Sequence, residues 1–275
     1  MTGKILSGLV SGWLAAACAC CAAQTQTVAP PAIVGIRPGT PIAEAYQILR
    51  QHFPSGVMQY GQKRLEVLAD KPITYAFIWS ATGNSDDREV VQVDLTFPPS
   101  DQKVWRVSRK ISFPPDHEPT PEAMMNSLRK TFGMELPTKV PGRAYWVFDT
   151  NGRPAQARGI NLADCAYYVD MPQLGSTVSQ FGNGQVSESV SPNVALYPSA
   201  IVAGRDQCQQ FVYVGADLAS HDPNRTTIHY VSVTVTDLGA GIRAGKATVA
   251  ALNGAASAEQ KAALKKAQQQ PVPQF

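Results

Sequence analysis

The amino-acid sequence predicts an α+β protein in which helices pack on an antiparallel β-meander, and a helix-then-strands order occurs loosely twice. Two observations lead to this prediction. Apolar and polar residues alternate with period two through three consecutive segments between residues 73 and 113, and short turns separate these segments. A Thr-Pro pair precedes a helical pattern at Thr40-Pro41 and again at Thr120-Pro121.

The first helix is expected to begin with Thr40 as its N-cap and Pro41 at its first helical position. Apolar residues then recur at helical spacing until Pro54 and Gly56 end the pattern. They define one apolar face, made of Ile42, Ala45, Leu49 and Phe53.

The three alternating segments are expected to be neighbouring strands that bury one face of a sheet and leave the other solvated. Leu65 and Val67 suggest a further strand before them. The polar face includes Gln92, Asp94, Arg106 and Lys110. The apolar positions are Ile73, Tyr75, Phe77 and Trp79; Val91, Val93, Leu95 and Phe97; and Trp105, Val107, Ile111 and Phe113.

The second helix is expected to run from Pro121 to Gly133, and strands are expected at 144–149, after Cys208 and at 228–236. The last two of these strands are expected to pair. The predicted organisation is an N-terminal α+β unit at 33–137, a C-terminal β-rich unit at 138–238 and an alanine-rich tail at 239–275, either helical or disordered.

The N-terminus has the pattern of a secretory signal peptide over residues 1–23, because Lys4 precedes an apolar run that gives way to small residues. A Pro/Thr/Gln-rich, disordered lead-in is expected at 24–32, and no later segment is expected to span a membrane. Cys18 follows three alanines in a loose lipobox, so a lipid anchor at Cys18 is the less favoured alternative. The protein is therefore expected to be periplasmic or secreted.

Cys165 and Cys208 are the two cysteines of the chain body, and an oxidising compartment predicts a disulfide between them. The alternative is a pair of free buried thiols. The pair would bound the loop 171–207, which is rich in Gly, Ser, Asn and Gln. Four scattered apolar residues of this loop are candidate contacts for a partner: Phe181, Leu196, Tyr197 and Ile201.

The sequence contains no recognisable catalytic motif. Its four histidines have no partner at metal-ligand spacing, and it has neither a nucleophile elbow nor a phosphate-binding loop. We therefore expect no metal, no cofactor and no enzyme activity. A net charge of +3 without a basic cluster gives no reason to expect nucleic acid as a partner.

Residues 34–53 resemble the entry to the first helix in envelope proteins of the SmpA/OmlA (BamE) type and in β-lactamase-inhibitor-like repeats. The matching residues are Gly35, Gly39, Thr40, Glu44 and Ala45, whereas Pro41 departs from that pattern. The resemblance implies a helix packed on an antiparallel sheet, and a binding or assembly role.

These observations together predict an exported, non-catalytic binding or assembly protein of a bacterial envelope. Its partner is expected to be another envelope protein, bound through the loop 171–207. Two alternatives stay open: a periplasmic hydrolase with a non-standard site, and a lipid-anchored scaffold protein.

Overall fold

The computed structural model describes residues 30–63, 73–82, 88–155, 206–220, 224 and 226–268. Seven strands form one antiparallel sheet in the order β1-β2-β3-β4-β7-β6-β5, and helices pack against it, so the predicted α+β class is confirmed. The strands are β1 (Val57–Lys63), β2 (Ile73–Thr82), β3 (Arg88–Leu95), β4 (Val104–Ser112), β5 (Arg143–Phe148), β6 (Val212–Ala219) and β7 (Tyr230–Asp237). The helices are α1 (Ile42–His52), α2 (Pro121–Phe132) and α3 (Leu238–Gln268), with 3-10 turns at Pro115–His117 and Asp206–Gln210.

The element order repeats as expected, because α1 precedes β1 to β4 and α2 precedes β5 to β7. The two groups of strands meet at the centre of the sheet, where β4 pairs with β7 from Arg106↔Thr236 to Ser112↔Tyr230. The expected pairing of β6 with β7 is also confirmed. The sheet is therefore continuous across the two units that the sequence predicts.

The main hydrophobic core lies on the side of the sheet that α1 and α2 cover. Leu49 of α1 and Leu128 of α2 pack there with apolar side chains of the strands. Strand residues of this core alternate along each strand, as period two requires. They include Val91 and Val93; Val107; Ala144, Trp146 and Phe148; Val212, Val214, Ala216 and Leu218; and Val231 and Val235.

A smaller apolar cluster lies on the opposite side of the sheet. Tyr145 and Val147 alternate with the core residues of β5, and they contact the start of α3 and the 3-10 turn at Asp206–Gln210. The Tyr213 hydroxyl donates a hydrogen bond of 2.6 Å to the Cys208 carbonyl oxygen, which ties this turn to β6. Burial raises the pKa of Tyr213, so its hydroxyl stays a donor.

The two Thr-Pro pairs differ in their capping. Thr120 accepts a hydrogen bond of 3.2 Å from the Ala123 amide and is the N-cap of α2, as expected. The expectation for Thr40 is wrong, because Pro41 occupies the N-cap position of α1 and no side chain caps it. The Thr40 backbone instead pairs with Val104 at the start of β4, and its hydroxyl accepts a bond from the Arg37 amide.

Trp105 departs from the predicted alternation. The register between β3 and β4 shifts at this point, with Leu95 opposite Val104 and Asp94 opposite Arg106. Trp105 is the extra residue of a bulge and leaves the core face to pack against Gly241 of α3. The bulge thus places Trp105 where α3 packs on the sheet.

The predicted Cys165–Cys208 disulfide stays a prediction. No cysteine pair lies wholly within the described residues, since Cys165 falls outside them. Cys208 is buried. The expected strand at Leu65 and Val67 also falls outside the described residues.

Helix α3 runs from Leu238 to Gln268 and so occupies most of the alanine-rich segment. The Asp237 carboxylate accepts a hydrogen bond of 2.7 Å from the Ala240 amide and caps the first turn. Leu238 and Ile242 are buried in the smaller cluster. Burial of Leu238 and Ile242 therefore attaches α3 to the sheet. The alanines of α3 favour the helical conformation but bury little apolar surface.

Two glycines of α3 provide a matched test of this packing. A Cβ built at Gly241 would lie 2.7 Å from the Trp105 ring, whereas a Cβ at Gly254 would meet nothing within 4 Å. We expect Gly241→Ala to lower the free energy of unfolding by about 1–3 kcal/mol through overpacking. We expect Gly254→Ala to leave it unchanged or to raise it by up to about 1 kcal/mol. Urea denaturation measures both changes. Equal changes in the free energy of unfolding would contradict the packing of Gly241 against Trp105.

Candidate functional site

A cleft of about 520 Å³ lies between α2, the connection from α2 to β5, and the adjoining ends of β6 and β7. We call it the α2 cleft. Its walls are largely apolar, with polar side chains on the α2 side and at the start of β5. The lining residues are Pro121, Met125, Arg129, Glu135, Leu136, Pro137, Thr138, Pro141, Gly142, Arg143, Ala144, Leu218, Ser220 and Ile228.

The connection from α2 to β5 is held against the strands at several points. Gly133 ends α2 with φ +83°, a conformation that favours glycine, and its carbonyl accepts a hydrogen bond of 2.9 Å from the Trp146 indole. The Leu136 amide donates to the Tyr145 carbonyl, and the Leu218 amide donates to the Gly142 carbonyl, both at 2.7 Å. These bonds fix the wall of the α2 cleft.

Arg129 and Glu135 form a bidentate ion pair beside the α2 cleft. The Arg129 Nε and Nη2 atoms donate to the two Glu135 carboxylate oxygens at 2.9 and 2.5 Å. This hydrogen bonding lowers the pKa of Glu135 and raises that of Arg129. Glu135 therefore stays a carboxylate with both oxygens occupied, which suits it to hold the helix end to the connection.

Part of the sheet side opposite α1 and α2 carries polar side chains of β3, β4, β6 and β7, beside the smaller apolar cluster. We call it the polar sheet face. The strand registers place its residues in lateral rows: Gln92, Ser108, Thr234 and Gly215 form one row, and Asp94, Arg106, Thr236 and Tyr213 form the next.

The expectation that this face is solvated is wrong for Gln92, Asp94 and Arg106, which are only 2%, 8% and 5% exposed. Asp94 accepts hydrogen bonds from Gln92 Nε2 at 2.8 Å and from Arg106 Nε at 2.5 Å. Buried charges are tolerated when they are paired and hydrogen-bonded in this way. The Thr236 hydroxyl is buried as well and has no hydrogen-bond partner among the described residues.

The polar sheet face is more open at its other end. Lys110, Ser232, Asp217 and Arg143 form a lateral row there, and each is partly exposed. Burial lowers the pKa of Lys110 and Asp217 opposes that shift. The ammonium of Lys110 lies 4.1 Å from the ring centroid of Tyr230.

Tyr230 shares this electrostatic environment. Burial and the Asp217 carboxylate both raise the pKa of Tyr230, whereas Arg143 lowers it. Four ionisable side chains of strands β4 to β7 thus act on one another at one end of the sheet.

Two histidines pair with glutamates elsewhere. His229 Nδ1 lies 3.3 Å from Glu118 Oε1, and the Thr227 hydroxyl donates to Glu118 Oε2 at 2.5 Å. His229 is thus a partly buried, hydrogen-bonded histidine immediately before β7. His52 lies 2.9 Å from Glu89 Oε1, which also accepts from Arg109 Nε at 2.6 Å. Both groups connect helices or turns to the sheet.

The four candidate partner contacts, Phe181, Leu196, Tyr197 and Ile201, lie outside the described residues. Among the residues that the structure describes, no three His, Cys, Asp or Glu side chains come together as a metal site. No described helix combines the length and the apolar character that a membrane span requires.

Comparison with known proteins gives no match to a family model, to a curated protein or to a solved structure. The resemblance of residues 34–53 to SmpA/OmlA-type and β-lactamase-inhibitor-like proteins therefore stays a prediction.

The Arg129–Glu135 pair predicts an acid-sensitive contribution to stability. The folded pKa of Glu135 lies below its unfolded value, so the contribution is complete above about pH 4.3 and is lost as the pH falls through the folded pKa. As the pH falls from 5 to about 3, we expect the stability of Glu135→Gln to decrease less than that of the wild type, because the variant has no carboxyl group to protonate at this position.

Thermal unfolding across that pH range measures the difference. Glu259→Gln, at an exposed position of α3, is the matched control and is expected to keep the wild-type slope. Parallel pH profiles for Glu135→Gln and the wild type would show that the ion pair contributes nothing.

Proposed function

We propose that this chain is an exported, non-catalytic binding or assembly protein of a bacterial envelope, and that the α2 cleft receives a small, largely apolar ligand. The main support is the cleft itself. Its volume of about 520 Å³ falls within the range of small-molecule sites. Apolar walls with a few fixed polar groups at one side are typical of such sites.

The polar groups of the α2 cleft favour binding over acid–base chemistry. Glu135 is its carboxylate, and both of its oxygens accept hydrogen bonds from Arg129. A catalytic acid would need a raised pKa, whereas that of Glu135 is lowered. The side chain of Met125 supplies an adaptable apolar wall instead.

The loop 171–207 remains the proposed surface for an envelope-protein partner, and the pairing of Cys165 with Cys208 remains the proposed means of fixing its ends. Cys208 lies in the 3-10 turn that packs on β6, so the end of this loop is attached to the sheet. Export, which the N-terminal pattern predicts, would supply the oxidising compartment that such a disulfide needs.

Binding of the fluorescent probe 8-anilinonaphthalene-1-sulfonate tests the α2 cleft, because this dye fluoresces in apolar sites. We expect the folded wild type to bind it, and we expect Met125→Lys to weaken the binding about tenfold by placing a charge in the cleft. Met125→Leu keeps the wall apolar and is expected to retain the binding.

Met134→Lys is the matched control, since Met134 is 77% exposed and does not line the α2 cleft. It should bind the dye like the wild type, and circular dichroism should show that all variants are folded. Equal dye affinity in the wild type and Met125→Lys would remove the α2 cleft as the binding site.

A further inference from the structure

One row of the polar sheet face holds opposite charges on either side of a hydroxyl group. The registers place Lys110 of β4, Ser232 of β7 and Asp217 of β6 side by side across neighbouring strands. Since strands are about 4.8 Å apart, the Cα atoms of Lys110 and Asp217 are about 10 Å apart, with Ser232 between them.

Lys110 and Asp217 are not joined to each other as an ion pair. The ion pairs among the described residues join other side chains, and none of them includes Lys110 or Asp217. The Lys110 ammonium instead rests on the Tyr230 ring, 4.1 Å from its centroid. Asp217 still acts electrostatically on both Lys110 and Tyr230. Ser232 lies between the two charged residues in this row.

The exposure of these residues changes along the polar sheet face. In the neighbouring row Gln92 and Ser108 are buried, at 2% and 3% exposure, and Ser108 is hydrogen-bonded to Thr234 at 3.0 Å. Lys110, Ser232 and Asp217 are each partly exposed. A solute can thus reach this row, which lies beside the buried Gln92 and Ser108, and charge interactions near buried groups are stronger than in water.

We propose that Lys110, Ser232 and Asp217 bind a small zwitterion that carries a carboxylate and an ammonium group, as a free amino acid does. The carboxylate accepts hydrogen bonds from Lys110, the ammonium donates to Asp217, and the Ser232 hydroxyl bonds to either group. The Tyr230 ring forms a side wall.

The pattern of charges selects against simpler ions. Asp217 repels an anion that approaches Lys110, and Lys110 and Arg143 repel a cation that approaches Asp217. A zwitterion satisfies both side chains at once, because each of its charged groups meets the opposite charge. This site is separate from the ligand that we propose for the α2 cleft, although Arg143 lies both in this row and in the cleft lining.

Titration of the ¹⁵N-labelled full chain with L-alanine tests the site, with amide chemical shifts as the readout. We expect saturable shifts that include the amides of β4, β6 and β7 around Lys110, Ser232 and Asp217. Propionate and ethylamine, which each carry one of the two charged groups, are expected to bind at least about tenfold more weakly than L-alanine.

Three variants sharpen the test. Lys110→Met and Asp217→Asn each remove one charge and are expected to weaken L-alanine binding about tenfold. Lys103→Met is the matched control and should bind like the wild type, because Lys103 is a half-exposed lysine outside this row that pairs with Asp101. The amide spectrum itself shows whether each variant is folded.

An absence of saturable shifts with L-alanine would overturn the proposal. Propionate binding as tight as that of L-alanine would overturn it too, since the site would then recognise only an anion. Neither result bears on dye binding in the α2 cleft, so failure here is distinguishable from failure of the proposed function.

Discussion

The pairing of β4 with β7 is the interaction on which the rest of the structure depends. It joins residues that are 126 positions apart, as in the hydrogen bond between the hydroxyls of Ser108 and Thr234. Without it, β1 to β4 and β5 to β7 would be two small sheets, each with an exposed edge at the centre of the present one. The entropic cost of closing so long a loop grows only slowly with length, and the ladder from Arg106 to Ser112 offsets it.

This pairing also gives the two sides of the sheet different roles. Period two sends Val107 and Val235 toward α1 and α2, and it sends Arg106, Ser108 and Lys110 to the other side. On the polar side, charges are paired where they are buried, as in Asp94 with Arg106, and held apart where they are accessible, as in Lys110 and Asp217. Structural and proposed binding roles thus separate along one face of one sheet.

The sequence predicts the elements well where local pattern decides them. Alternation predicts β2 to β4, and helical spacing with Thr-Pro starts predicts α1 and α2. Prediction from the sequence fails where contacts with a distant segment determine the structure. The bulge at Trp105 arises from the register of β4 against β3, and the burial of Gln92 and Arg106 comes from tertiary packing, which no local pattern encodes. The row of Lys110, Ser232 and Asp217 is assembled from three strands, so only the sheet order brings it together.

The register of β4 against β7 is tested most directly by a cysteine cross-link. Ser108 and Thr234 are directly opposite, and cross-strand Cβ atoms at such positions lie about 4.5–5.5 Å apart, close enough for a disulfide to form with a small adjustment. In the double variant Ser108→Cys, Thr234→Cys, mild oxidation should join these two residues, as peptide mapping by mass spectrometry would show. The double variant Ser108→Cys, Val233→Cys is the control and should not cross-link. If it cross-links and the Ser108→Cys, Thr234→Cys variant does not, the register is contradicted, and so is the assignment of residues to the two faces of the sheet.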